Sequence, residues 1–218
     1  ASLVALSRAQ REHLPTARWA ATVPNGVRPD RFPFRAARGE YAVFLGRMSP
    51  DKGPTWAIDA ARAAGIPLVM AAKCREDSEV AYFEQAVAPR LGGDVEWIGE
   101  VGGRRKVELL AGARCLLFPV DWEEPFGLVM IEAMACGTPT IAYPAGSVPE
   151  VIDHGLTGYI VHDEGSAVAA VSRLDRLSSS AIRARFEQRF TARRMAEDYV
   201  ALYRRMAVKS RPALRVVT

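Results

Sequence analysis

The chain is 218 residues long, 49% hydrophobic and 25% charged, with 29 Lys and Arg against 25 Asp and Glu and a formal net charge of +4. That composition excludes an intrinsically disordered or collagen-like chain and fits one large globular domain or two small ones. The charge is uneven, because from Arg173 onward twelve Lys and Arg face four Asp and Glu, whereas before it seventeen face twenty-one.

In chain order, residues 3–6 read as a strand, 8–14 as a helix and 20–23 as a second strand ending in the turn signal Pro24, Asn25, Gly26. A regular alternation follows. Strands are expected at 41–45, 67–72, 95–98, 115–120, 139–143 and 158–161. Helices are expected between them at 54–64, 77–90, 104–111 and 126–135, with a helical turn at 148–152. Alternating strands and helices build βαβ units, so the fold class is α/β, a Rossmann-like doubly wound parallel sheet. Helical stretches at 166–177 and 180–206 close the chain. The expected division is 1–37 as the end of a preceding sheet plus a linker, 38–172 as the Rossmann-like domain, and 173–218 as C-terminal helices.

A strand at the very start with no partner of its own should be frayed, or paired with a fragment from another chain. In the last helix Phe186, Phe190, Met195, Tyr199, Leu202 and Met206 recur at steps of three and four, which predicts one buried stripe with the arginines solvated outside it. The basic C-terminal stretch lacks the interleaved aromatics of a nucleic-acid binder, and nothing supports peripheral attraction to anionic lipid over plain solvation. No apolar run reaches the ~18 residues of a membrane span, since residues 127–143 are interrupted by Glu132. Cys74, Cys115 and Cys136 are odd in number and scattered, which argues against a disulfide framework or a zinc site and for a reducing, cytoplasmic setting. The chain opens on Ala and not on a signal peptide, so a segment ahead of it, one methionine or a whole domain, is expected to have been removed.

Glu132 is the most telling residue, a carboxylate in the otherwise apolar helical segment 126–135. Burying it costs several kcal/mol, roughly, unless something answers it. A buried salt bridge or a reach to solvent would do so, and so would a ligand, a reading favoured by the second carboxylate, Glu124, just ahead of the helix. Between them Gly127 lets the backbone approach closely at a helix N-terminus, a spot suited to phosphate, and a carboxylate deeper in suits a ribose diol. A second candidate runs from Leu45 through Gly46 and Arg47 to Lys52 and Gly53, a strand followed by a glycine turn, two cations and a helix start. Arg47 and Lys52 together can neutralise a diphosphate without metal, although the segment is not a Walker A loop. His13, His154 and His162 form no nucleophile arrangement, no Asp-x-Asp pair is present to chelate a divalent ion on a sugar nucleotide, and no metal or other cofactor is expected.

These landmarks together resemble the C-terminal donor-binding half of a retaining GT-B glycosyltransferase of family 4. They are residues 23–26, 45–47 with 51–53, 97–101, Glu124 and Glu132 eight positions apart within 123–143, and 149–151 with 155–158. The resemblance implies a transferase that moves a sugar from a nucleotide-diphosphate donor, UDP-linked by expectation, to an acceptor hydroxyl. Arg47 and Lys52 would meet the diphosphate, Glu124 the sugar and Glu132 the ribose. Backbone at Phe126, Gly127 and Leu128 would meet sugar or phosphate, and the nucleobase would lie near residues 101–106, between Val101 and Lys106. It implies as partner an N-terminal acceptor-binding domain, on the same polypeptide or a separate fragment, holding a histidine that this chain lacks. Where relatives usually carry two glycines before the Pro-Glu pair, this chain has Ala145, Gly146, Ser147 and Val148. A nucleotide-sugar-binding module without transfer activity and a GT-B-type epimerase or phosphorylase remain alternatives.

Overall fold

The computed structural model describes residues 2–209. Ala1 and residues 210–218, with Arg211 and Arg215 of the basic tail, lie outside the described residues, so the expected outer segments 1–37 and 173–218 are seen only in part.

The chain opens with β1 (Leu3–Ala5), α1 (Arg8–Glu12) and β2 (Trp19–Thr22), and β1 pairs with β2 in parallel. The first strand is therefore not an orphan. A helix between two parallel strands returns the chain alongside itself, and Val23 N–H extends the ladder to the Ala5 carbonyl at 2.8 Å. Ser7 caps α1 through the Gln10 N–H. The free N–H groups of Arg8 and Ala9 are met from afar by the two oxygens of Glu150, at 2.9 and 2.8 Å, and at the other end of α1 His13 faces Glu123 at 3.4 Å.

The main sheet is built from β3 (Ala42–Arg47), β4 (Leu68–Lys73), β5 (Val95–Trp97), β6 (Cys115–Phe118), β7 (Thr140–Ala142) and β8 (Gly158–Ile160). All are parallel, in the spatial order β5-β4-β3-β6-β7-β8. Each expected strand is found, shifted at its ends by a few residues at most. The helices are α2 (Pro54–Ala63), α3 (Asp77–Tyr82), α4 (Gly103–Gly112), α5 (Leu128–Cys136), α6 (Val148–Val151), α7 (Glu164–Val171), α8 (Ser179–Arg189) and α9 (Ala192–Lys209). Winding runs outward from β3 to β5 and then, from β6, the other way. Right-handed crossovers therefore place α2 and α3 on one face and α4 and α5 on the other. In accord with this, α2 packs on α7, and α5 packs on α4 and α8. Strand β6, buried along its whole length, and α5, buried from Met130 to Cys136, form the centre of the core.

Three expected helices come out differently, and one of them, the stretch 166–177, is α-helical only to Val171 and is followed by a separate 3-10 turn at Leu174–Arg176. The stretch 77–90 is α-helical only to Tyr82, then widens into a π-turn (Phe83–Val87) and tightens into a 3-10 turn at Pro89. The long helix 180–206 is two helices, broken at Phe190 and Thr191. There the linker intervenes, as Val27 N–H donates to the Phe190 carbonyl and Ala192 N–H to the Val27 carbonyl, both at 2.9 Å. Backbone groups that a continuous helix would pair internally are used between segments.

The apolar stripe is likewise partial. Phe186, Phe190 and Leu202 are buried, Met195 and Tyr199 half-buried, and Met206 exposed. Nor are the arginines simply solvated. Arg183 donates to the carbonyls of Phe32, Ala135 and Pro29, Arg189 to that of Glu150 and to Asp153, and Arg194 to those of Pro24 and Asn25. Among the described residues no helix is long and apolar enough to cross a membrane.

Candidate active site

The winding direction changes between β3 and β6. Their pairing stops at Phe44 opposite Leu117, while β3 stays paired with β4 through Arg47 opposite Lys73. Beyond that point the chain segments after β3 and β6 part around a crevice at the carboxyl edge of the sheet, where open α/β sheets bind ligands.

From β3 the chain passes Gly46 and Arg47 into the 3-10 turn Pro50–Lys52, and Gly53, at φ 66°, opens α2. From β6 it passes Asp121, Trp122, Glu123 and Glu124 to Gly127, at φ 72°, which opens α5. The two loops are tied by Asp121 N–H donating to the Asp51 carbonyl at 2.9 Å.

Lys52 reaches Glu124, its Nζ 2.8 Å from Oε2, and the side chains are only 15% and 14% exposed. The same oxygen accepts from the Trp122 indole N–H at 3.2 Å, while Oε1 accepts from Gly127 N–H at 3.1 Å. Lys52 Nζ also lies 4.5 Å from the centre of the Trp122 ring. The Glu124 backbone is held as well, its carbonyl accepting from Ser147 N–H at 2.9 Å. Gly146, at φ 54°, packs so closely that a Cβ there would stand 2.4 Å from the Glu124 carbonyl oxygen. Next to this cluster the N–H groups of Leu128 and Val129, in the first turn of α5, make no hydrogen bond among the described residues. Two free donors at a positive helix end form an anion seat.

Glu132 is buried one turn deeper in α5, 9% exposed, and it is answered by Lys106 of α4 at 2.6 Å. The salt bridge weighed from the sequence is therefore present, and Lys106, expected beside a base, is its cation. Arg47 is half-exposed and pairs with Asp51 at 3.3 Å. Gly46 packs on the ring of Phe44 and on Lys52, Phe126 is buried, Leu128 is exposed, and Val101 sits in the loop between β5 and α4. A cavity of about 660 Å³ opens beside Lys106, between α4 residues such as Gly103 and Arg104 and the linker at Asp30 to Arg35. Among the described residues no three His, Cys, Asp or Glu side chains are placed to hold a metal ion.

The structure thus gathers Lys52, Glu124 and Gly127 into one cluster and Lys106 with Glu132 into a second, one helical turn along α5. Trp122 was missed. Its only sequence signal was an aromatic two positions before Glu124.

A family model described as glycosyl transferases group 1 matches residues 29–194. The chain is 34% identical over 142 residues to the alpha-maltose-1-phosphate synthase of Mycobacterium tuberculosis (strain CDC 1551 / Oshkosh), covering 61% of this chain and 36% of that protein. It is 30% identical over 181 residues to the phosphatidyl-myo-inositol mannosyltransferase of Mycobacterium leprae (strain TN), covering 77% and 46%. Among solved structures it superposes on AviGT4, a glycosyltransferase involved in avilamycin A biosynthesis, with a TM-score of 0.83, 31% identity and coverage of 95% of this chain and 64% of that one. The sheet and its flanking helices match the C-terminal Rossmann-like domain of GT-B glycosyltransferases. The chain spans between about a third and a half of the length of these two curated relatives.

Proposed function

The chain belongs to the glycosyl transferases group 1 family, and from that premise we propose that it forms the donor-binding part of a retaining, metal-independent family 4 transferase taking a UDP-sugar. One observation carries the reading: at the crevice between β3 and β6 a shielded lysine, a carboxylate and two free helix N–H groups stand together, with a second carboxylate one turn deeper. Positive groups around a helix N-terminus fit a diphosphate. A buried carboxylate whose partner is a flexible lysine can share its second oxygen with a ribose diol.

In this reading the diphosphate takes over Lys52 from its partner Glu124, and also meets Arg47 and the N–H groups of Leu128 and Val129. The bond from the sugar anomeric carbon to the phosphate oxygen breaks, and its electron pair leaves with the diphosphate. Lys52, Arg47 and the helix end stabilise that developing charge. The acceptor oxygen bonds to the same face of the carbon, and its proton passes to the departing phosphate oxygen. Glu124 orients the sugar hydroxyls and Glu132 the ribose. The base occupies the cavity beside Lys106. The acceptor hydroxyl is presented by a preceding N-terminal domain, residues 1–37 being its closing elements and the linker, so these 218 residues alone bind donor without transferring sugar.

Calorimetric titration with UDP and with uridine tests the reading. Lys52→Ala and Arg47→Ala should each weaken UDP binding, Lys52→Ala by about 1.5–3 kcal/mol, the scale of a charge-assisted hydrogen bond, and leave uridine unchanged. EDTA should have no effect. Equal losses for UDP and uridine, or no UDP binding by the unaltered chain, would reject it.

A further inference from the structure

We propose that Trp122 is a positioning residue of the donor site, acting through Lys52 and Glu124; the inference rests on the donor-site reading above. Its indole joins the two halves of the ion pair. The N–H donates to Glu124 Oε2 at 3.2 Å, and the ring faces the ammonium that the same oxygen holds at 2.8 Å, with Nζ 4.5 Å from the ring centre. The three groups form a closed triangle. It explains how the pair stays 14–15% exposed at the mouth of an open crevice, where Trp122 itself is 40% exposed.

A lysine held only by a carboxylate would follow that carboxylate when a diphosphate arrives. Lys52 has a second hold, because the electron-rich ring face attracts an ammonium whether or not Glu124 stays paired with it. Trp122 therefore keeps the ammonium in the crevice while its counter-ion changes from carboxylate to phosphate. The same indole N–H keeps Glu124 oriented once Lys52 has turned away. Among the described residues no other side chain makes a hydrogen bond, ion pair or cation-π contact with both members of the pair.

The test uses two substitutions and two ligands on the 218-residue chain. Trp122→Phe keeps a ring beside Lys52 and removes the N–H, whereas Trp122→Leu removes both. Calorimetry should show UDP binding weakened by roughly tenfold in Trp122→Leu and by roughly threefold in Trp122→Phe, with uridine unchanged in both. A role in folding alone would lower the midpoint of thermal unfolding and move UDP and uridine together, and that result overturns the proposal. So does UDP affinity within a factor of about two of the unaltered chain in Trp122→Leu. If the unaltered chain binds UDP and the variants match it, only this role falls. If it binds no UDP, the donor-site reading falls and takes this role with it.

Discussion

At the scale of single residues the site is a matter of counterparts. Each shielded carboxylate on the α5 side has a lysine from another element, Lys52 for Glu124 and Lys106 for Glu132. The carboxylates were legible in the sequence because charge inside an apolar run stands out. Their partners were not read as such, since Lys106 lies 26 positions away on α4 and only the packing of α4 on α5 brings it near. Gly146 shows the opposite case, a residue whose role is the absence of a side chain. Gly146→Ala should cost about 1–3 kcal/mol of stability in urea unfolding, through its positive φ and its contact with the Glu124 backbone. Its UDP affinity should fall as well, as the intruding methyl displaces Glu124. Glu79 is a third such case, a buried carboxylate that accepts from Arg75 N–H and Glu76 N–H at the start of α3, with Lys73 at 3.8 Å. The Arg75 N–H above all holds its pKa below 4.5. A depressed carboxylate contributes stability above its unfolded pKa and loses it as pH falls through the folded value. Urea midpoints of the unaltered chain and Glu79→Gln should therefore differ at neutral pH and converge as pH falls through the depressed folded pKa. A constant gap down to the lowest pH would contradict this.

At the scale of elements, periodicity gave the six strands and most helices because each depends on a local pattern of apolar positions. It gave neither the break between α8 and α9 nor the fate of the arginines, because the first depends on the linker and the second on the linker together with α5, α6 and Asp153. Nothing in residues 180–206 signals that Val27 will pair with Phe190 and Ala192. Composition likewise does not separate an arginine that ties three carbonyls from one that faces water. The difference is measurable. Arg183→Ala should cost about 2–3 kcal/mol, since it abandons the carbonyls of Pro29, Phe32 and Ala135, while Arg193→Ala should leave stability unchanged within the error of the measurement. Arg193 is 89% exposed and, among the described residues, pairs only with Glu197, four residues on. Equal costs in urea titrations would mean that the carbonyl ties carry no stability.

At the scale of the whole molecule, the core runs without interruption from β5 to β8, and two of the three cysteines lie inside it. Burial pushes the thiols of Cys115 and Cys136 up to about 12 and raises that of Cys74 as well. At pH 8 a thiol with that pKa is ~0.01% thiolate, far too little to react quickly. A disulfide reagent should therefore label at most Cys74 in the native protein and all three in denaturant. Prompt native labelling of a second thiol would show a looser core. The short helix α1 reaches this body at two points. Glu150, three positions past the Ser147 whose N–H binds the Glu124 carbonyl, holds one of its ends, and Glu123, the neighbour of Glu124, meets the other. This helix, about 8 Å long, is held at one end by Glu150 of α6 and meets Glu123 of the loop after β6 at the other, so it spans two separate elements like a strut. Any tilt of the opening β1–α1–β2 unit is levered onto the two anchors at once, and so onto the carboxylate braced between them. The opening unit is thus coupled to the walls of the crevice directly, and not only through the linker that follows it in sequence.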